Sequence, residues 1–250
     1  MATAWLGSIC YMLQILFDFS GYTTMAIGLG HMIGFSLPPN FNRPYTAQSI
    51  TDFWRRWHMS LSTWFRDYLY IPLGGNRAGP LRTYANLLLV FVLCGLWHGA
   101  AWTFALWGLY HGLFLIMERA AGKAWPGWQA PRPIRHAYTL LVVLVGWVIF
   151  RAETIGQARQ FLSTMLGFGR AGAMAAPVEQ YATNSVLLAI AAAILVIVRN
   201  TNTGSCVLRW RLTSGLALHA TRFAASLALF IVTAAALASG THNPFIYFRF

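Results

Sequence analysis

Long stretches with almost no charged side chain constrain this sequence more than any other feature. Residues 3–17, 22–35, 83–97, 101–117, 137–150, 184–198 and 221–239 form apolar runs, and charge gathers in the connections between them. A helix that crosses a bilayer satisfies its own backbone and needs about 20 largely apolar residues. Charged residues make up 10% of the 250-residue chain, against about 25% in an ordinary soluble domain. The pattern predicts an all-α, polytopic membrane protein, a multi-helix bundle.

The basic excess, +12, would suit nucleic acid only if it lay on a solvent-facing surface. Here it follows the loops, as the positive-inside rule requires, so no nucleic-acid partner is expected and membrane lipids are. Six Lys/Arg fall in 43–82, four in 119–135 and four in 199–222, whereas 151–183 holds three. That alternation places the first three connections in the cytoplasm and 151–183 outside, in a multi-pass membrane protein. Three scattered cysteines, Cys10, Cys94 and Cys206, give neither a disulfide framework nor a zinc site and read as buried thiols. Met1 leads directly into apolar sequence without a basic segment, so no cleavable signal peptide is expected.

Residues 50–70 read as one amphipathic helix. Ser49 and Asp52 have capping-box spacing, and Pro72 ends the element. Ile50, Phe53, Trp54, Trp57, Leu61, Trp64, Phe65 and Tyr68 form an apolar stripe at helical spacing, opposite Asp52, Arg56, Ser60, Thr63 and Asp67. Too charged to span, such a helix lies in the membrane interface or packs on the bundle at that depth. After the glycine-rich, basic loop 72–77, the runs 83–97 and 101–117 join at Trp97-His98-Gly99-Ala100. Each is short for a full crossing, so they are either tilted spans or a re-entrant pair. Asp18-Phe-Ser-Gly21 separates the first two runs, and 151–183 reads as a polar connection.

Phosphate-loop, zinc-protease and nucleophile-elbow motifs are absent, which turns attention to seven histidines. His31, His136, His219 and His242 sit at run ends or in interfacial sequence and read as structural. His98 lies in a stretch, 85–109, that contains no other acid or base and one thiol, Cys94. Imidazole in apolar surroundings stays neutral, and neutral imidazole can take a proton from a hydroxyl. Gly99 would admit a close substrate, while Trp97 and Trp102 could wall a tunnel. The competing reading is a core histidine bonded to a backbone carbonyl. His58 divides in the same way between a second active-site group and an interfacial histidine. On a continuous helix His111 would stand ~20 Å from His98, too far to share a site. Arg55, Arg56, Arg66, Arg77 and Arg82 suit lipid headgroups, or a phosphate-bearing donor.

Those residues also carry a resemblance. The run Asp52-Phe-Trp-Arg-Arg-Trp-His58-Met-Ser-Leu-Ser-Thr-Trp-Phe-Arg-Asp67-Tyr-Leu-Tyr-Ile-Pro-Leu-Gly-Gly-Asn-Arg77 resembles the signature of the membrane-bound O-acyltransferase (MBOAT) family. Gly95-Leu-Trp-His98-Gly-Ala-Ala-Trp102 with Leu106-Trp-Gly-Leu-Tyr-His-Gly112 is similar to its catalytic histidine segment. Asp18-Phe-Ser-Gly-Tyr22, Asn40-Phe-Asn-Arg-Pro-Tyr45 and Asn243-Pro-Phe-Ile-Tyr-Phe-Arg-Phe250 also match, closest to the alginate O-acetyltransferase AlgI-like branch.

The resemblance implies an O-acyltransferase with His98 as the essential histidine and His58 as the second. Trp57, Trp97, Gly99, Arg55, Arg56, Asn76 and Arg77 are the expected substrate contacts. No metal or bound cofactor is implied, and the donor substrate would be acetyl-CoA or another acyl thioester reaching the site from the cytoplasm. The acceptor would be an exported polysaccharide, with periplasmic acetylation partners. The D-alanyl (teichoic acid) branch shares the Trp-Arg-Trp-His core but lacks the run at 71–77. Branch members are about twice as long, so residues 1–250 are expected to be the C-terminal portion of one MBOAT membrane domain. Its interfacial helix is expected at about 50–70 and its catalytic hairpin at about 83–117, with N-terminal spans lacking and a catalytically incomplete fragment as one alternative. A transport bundle without chemistry would need a path lined by intramembrane charges, and Asp18 alone offers one.

Overall fold

A computed structural model describes residues 1–77, 79–127, 130–169, 177–198 and 216–238, whose regular elements are helices, with no strand among the described residues. The chain divides into two compact units, Met1–Gln14 with Asn40–Asn200, and Ile15–Pro39 with Thr201–Phe250. The first unit carries every candidate site residue.

Helix α1, Ala2–Met32, is continuous for 31 residues, so the expected interruption at Asp18–Gly21 does not occur. The polar residues there stay inside the helix. Thr23 and Thr24 donate their hydroxyls to the Phe19 and Ser20 carbonyls at 3.0 and 2.7 Å, and Gly21 weakens the helix by only about 1 kcal/mol. The helix ends where a glycine permits it. Gly34 adopts φ 89, and the Phe35 and Gly34 N–H groups return to the Gly30 and His31 carbonyls in a Schellman pattern. Met32, Ile33 and Phe35 at this end are exposed apolar side chains. The second unit also contains α9, Leu216–Ala238, which covers the run expected at 221–239.

In the first unit the single interfacial helix expected at 50–70 is broken. It comprises α2 (Ile50–Trp54), α3 (Met59–Phe65) and a π-turn (Arg66–Tyr70). Two backbone bonds impose the break: Asn42 N–H to Arg56 O and Met59 N–H to Asn40 O, each 2.9 Å. They draw residues 56–59 out of helical geometry and against the segment 40–42. The expected stripe therefore splits. Ile50, Phe53, Trp54, Trp57 and Phe65 are buried, whereas Trp64 and Tyr68 are exposed. The predicted cap is present: the Ser49 hydroxyl accepts the Asp52 N–H at 2.9 Å.

Helices α4 (Pro80–His98) and α5 (Trp102–Ala124) form a hairpin. Pro80 at the first turn lengthens α4 beyond the apolar run to 19 residues, about 28 Å, enough for a hydrocarbon core of about 30 Å. By length and composition, Ala2–Met32, Pro80–His98 and Arg132–Arg151 (α6) can cross a membrane. Connection 151–183 is not merely polar. It holds α7, Ile155–Met165, capped by the Thr154 hydroxyl, which accepts the Gln157 N–H. The indole of Trp5 donates to the Met165 carbonyl at 2.9 Å, docking α7 on the start of α1. Helix α8, Asn184–Val198, matches the run expected there.

The core of this unit is aromatic. Trp57 lies within stacking distance of Tyr45 and Phe53 and is tilted against Trp147, while Trp107 packs on Trp54, Trp147 and Phe150. Some of its polar atoms are bonded to one another, although the buried indole N–H groups of Trp54 and Trp107 have no partner among the described residues. The Tyr45 hydroxyl donates to the Met12 carbonyl at 2.6 Å and accepts the Trp147 indole N–H at 3.1 Å.

Candidate active site

His98 is the last residue of α4, where the hairpin turns. Small residues let the two helices meet closely enough to enclose it. At both Gly95 and Gly108 a Cβ would collide with the facing helix backbone, so no larger residue fits without separating the pair. Gly99 returns its N–H to Leu96 O at 3.2 Å, and the extended Ala101 then starts α5. His98 is 5% exposed. Its ring meets Trp97, Trp107 and Phe150 at 5.0, 5.3 and 5.1 Å, each near-perpendicular, so α4, α5 and α6 all contribute to an aromatic cage.

His58 reaches the same place from another element. It sits at the break between α2 and α3 with φ 46 and ψ 54, a left-handed conformation uncommon for a residue with a side chain. Its Nδ1 lies 3.3 Å from Asn40 Oδ1, and its ring lies 6.2 Å from that of Trp97. Trp97, 59% exposed, thus contacts both imidazoles and offers an open face beside them. Burial pushes His58 down to about 4, so its ring is neutral at physiological pH.

The other predicted residues are dispersed. Trp57 belongs to the aromatic core at 2% exposure. Arg56 pairs with Asp52 at 2.8 Å, which commits its guanidinium within α2, and Arg55 is exposed. Asn76 accepts the Tyr70 hydroxyl at 2.6 Å, and Arg77 closes the 72–77 turn through its N–H to Gly74 O; both are exposed, on the glycine-rich loop. His136 bonds the Ala47 carbonyl through Nδ1 at 3.1 Å, in keeping with a structural role. His219 has no described side chain, and His242 and Cys206 lie outside the described residues. Cys94 is buried as expected, but Cys10 is only partly so.

His111 corrects one expectation. The chain reverses between His98 and His111 instead of continuing as a helix. Its ring lies 5.2 Å from Trp107, on which His98 also packs at 5.3 Å, so the two imidazoles are about one indole apart. Among the described residues no group of three His, Cys, Asp or Glu could hold a metal ion.

Two residues escaped the sequence reading. Glu118 on α5 caps α2 from a distance: its carboxylate accepts the Ile50 and Thr51 N–H groups and the Thr51 hydroxyl, the last two at 2.9 and 2.7 Å. Nothing at a separation of 67–68 residues signals this pairing. Asn40 entered the sequence reading only as the first residue of the Asn40–Tyr45 motif, yet its side chain accepts the Ser60 N–H and hydroxyl at 3.1 and 2.9 Å besides contacting His58. Its place in that motif was the available signal.

Residues 1–152 match the sequence profile of the membrane-bound O-acyltransferase family. The chain is 58% identical over 167 residues to the "Probable alginate O-acetylase AlgI" of Azotobacter vinelandii, 66% of this chain and 33% of that protein. It is 48% identical over 166 residues to the "Peptidoglycan O-acetyltransferase" of Helicobacter pylori, 66% of this chain and 32% of that one. Against the "Teichoic acid D-alanyltransferase" of Bacillus subtilis it is 39% identical over 123 residues, 44% of this chain and 31% of the relative. The matched stretch thus spans about a third of the length of these curated relatives.

Proposed function

This chain belongs to the membrane-bound O-acyltransferase family, and from that premise we propose that it transfers an acetyl group from an acyl thioester to the hydroxyls of an exported polysaccharide, with His98 as the general base. The observation that carries this reading is the aromatic cage, which seats one imidazole at a hairpin turn beside a half-exposed tryptophan. Neutral His98 takes the acceptor hydroxyl proton as the oxygen attacks the thioester carbonyl carbon. The new C–O bond forms, the C–S bond breaks, and the proton passes to the departing thiolate. The apolar walls exclude water, which would otherwise hydrolyse the thioester. His58 and Trp97 position the reactants, and Gly99 leaves room beside the base.

Acetyl-CoA arriving from the cytoplasm is the proposed donor, with Arg55 and Arg77, both exposed, available to its phosphates. The proposed location is the bacterial inner membrane, crossed several times, with periplasmic proteins completing delivery. The higher identity to O-acetylating relatives favours acetyl over D-alanyl transfer. Membranes containing the chain, labelled acetyl-CoA and acceptor polysaccharide test it. Label should reach the polysaccharide, and His98→Ala should reduce the rate about 10²–10⁴-fold, the usual contribution of a general base. Equal rates would refute the assignment of His98, and no transfer by the wild type would refute the activity.

A further inference from the structure

We propose that Asn40 is a positioning residue that fixes the tautomer of His58, holding the proton on Nδ1 so that Nε2 carries the lone pair. The proposal deepens the reading of this site as an acyl-transfer centre and rests on it for its consequence, though not for its geometry.

The argument begins with a backbone group whose role admits no choice. The Ser60 N–H is a donor, and it lies 3.1 Å from the Asn40 side-chain atom placed as oxygen. A carboxamide could be turned over to exchange its oxygen and nitrogen, but that would set an NH2 group against this N–H, donor against donor. The Ser60 N–H therefore identifies the atom as Oδ1, and the Ser60 hydroxyl donates to it at 2.9 Å. The same oxygen lies 3.3 Å from His58 Nδ1. A carboxamide oxygen only accepts, so Nδ1 is the protonated nitrogen of the pair. Neutral imidazole has one N–H, which leaves the lone pair on Nε2.

The surroundings make this arrangement a built one. Asn40 is 9% exposed, so its amide has little water to turn toward. The two backbone bonds that join 40–42 to 56–59 hold the side chain in register with His58. Left-handed backbone at a non-glycine residue is strained and persists where surrounding structure over-determines it. Here Asn40 supplies that structure, bonding Met59 through its carbonyl and Ser60 through its side chain. A histidine with free choice of tautomer would present either a donor or an acceptor from Nε2. Beside Trp97 and the general base, the Asn40 arrangement presents an acceptor only, suited to a substrate hydroxyl and unsuited to a carbonyl oxygen.

The test uses the full chain in lipid nanodiscs with 15N-labelled histidine, and His58→Gln to assign the His58 resonances. The wild type should show Nδ1 protonated and Nε2 bare. Asn40→Asp retains the accepting oxygen and should keep that pattern, whereas Asn40→Leu should lose it and populate the Nε2–H form. Acetyl transfer should fall at least tenfold in Asn40→Leu and recover to within a few-fold of the wild type in Asn40→Asp. Thermal unfolding of each variant separates folding from tautomer. An Nε2–H wild-type spectrum, or an Asn40→Leu spectrum like the wild type in folded protein, overturns the proposal whatever the activity. The expected spectra without transfer by the wild type would refute the acyl-transfer reading alone.

Discussion

The helical hairpin beneath His98 makes a sharp prediction at Gly108. A Cβ added there would lie 2.8 Å from the Phe91 carbonyl carbon and 3.0 Å from Val92 Cα, and closer still to the Phe91 oxygen. All three neighbours are backbone atoms, so no rotamer change relieves the clash. Restoring the 3.4 Å at which ordinary contact begins requires α4 and α5 to part by more than about 0.6 Å, the amount the carbonyl carbon alone demands. Overpacking of this kind destabilises by about 1–3 kcal/mol, and a gap of that size along a helix pair forfeits a quarter or more of its dispersion contacts. For a chain of this length each kcal/mol lowers the unfolding midpoint by about 2–4 °C. The control lies in the same helix. Gly122 has nothing within 4 Å of its Cβ position, so Gly122→Ala should stabilise by about 0.5–1 kcal/mol through helix propensity. Tryptophan-fluorescence melting of the two variants in nanodiscs should therefore move in opposite directions. If Gly108→Ala melted with or above the wild type, the close packing of α4 on α5 would be wrong, and so would the account of how His98 is enclosed.

Two further substitutions probe the supports around the site. Glu118→Gln halves the accepting capacity of the side chain, removes the charge and turns an amide NH2 toward the start of α2; thermal melting should report a loss of about 1–3 kcal/mol, and an unchanged midpoint would dismiss the long-range cap. Tyr45→Phe preserves the ring while leaving the Trp147 indole N–H and the Met12 carbonyl without their partner; denaturant titration should show a similar loss, and its absence would mean that the hydroxyl bridge contributes nothing.

What could be read from the sequence was local. Ser49 and Asp52 announced a helix start because the bond between them spans three residues. His98 stood out because its neighbours in the chain are apolar, and those neighbours enclose it in the fold. The broken helix at 55–58 was illegible because helical spacing of Phe53, Trp54, Trp57 and Leu61 continues through it. The bonds that overrule that spacing come from residues 40–42, outside the segment that the spacing describes. His111 was misplaced for a related reason: its distance from His98 depends on where the chain reverses, not on how many residues intervene. Asp18–Gly21 erred the other way: the segment suggested a break, yet the Ser20 hydroxyl bonds the Phe17 carbonyl at 3.5 Å and the helix runs on through it.

The Glu118 clamp also orders events in time. Helix α2 has five residues, far below the length at which a helix persists alone, and its starting N–H groups depend on a carboxylate 68 residues downstream. At synthesis rates of about 5–20 residues per second, the ribosome delivers that carboxylate roughly 3–14 s after the helix it completes. Until then the segment bearing Trp54, Trp57 and His58 has no finished end, and its aromatic side chains have no hairpin to bury them. The proposed site therefore stays unfinished until α5 enters the bundle, and its cage waits longer still for Phe150 on α6.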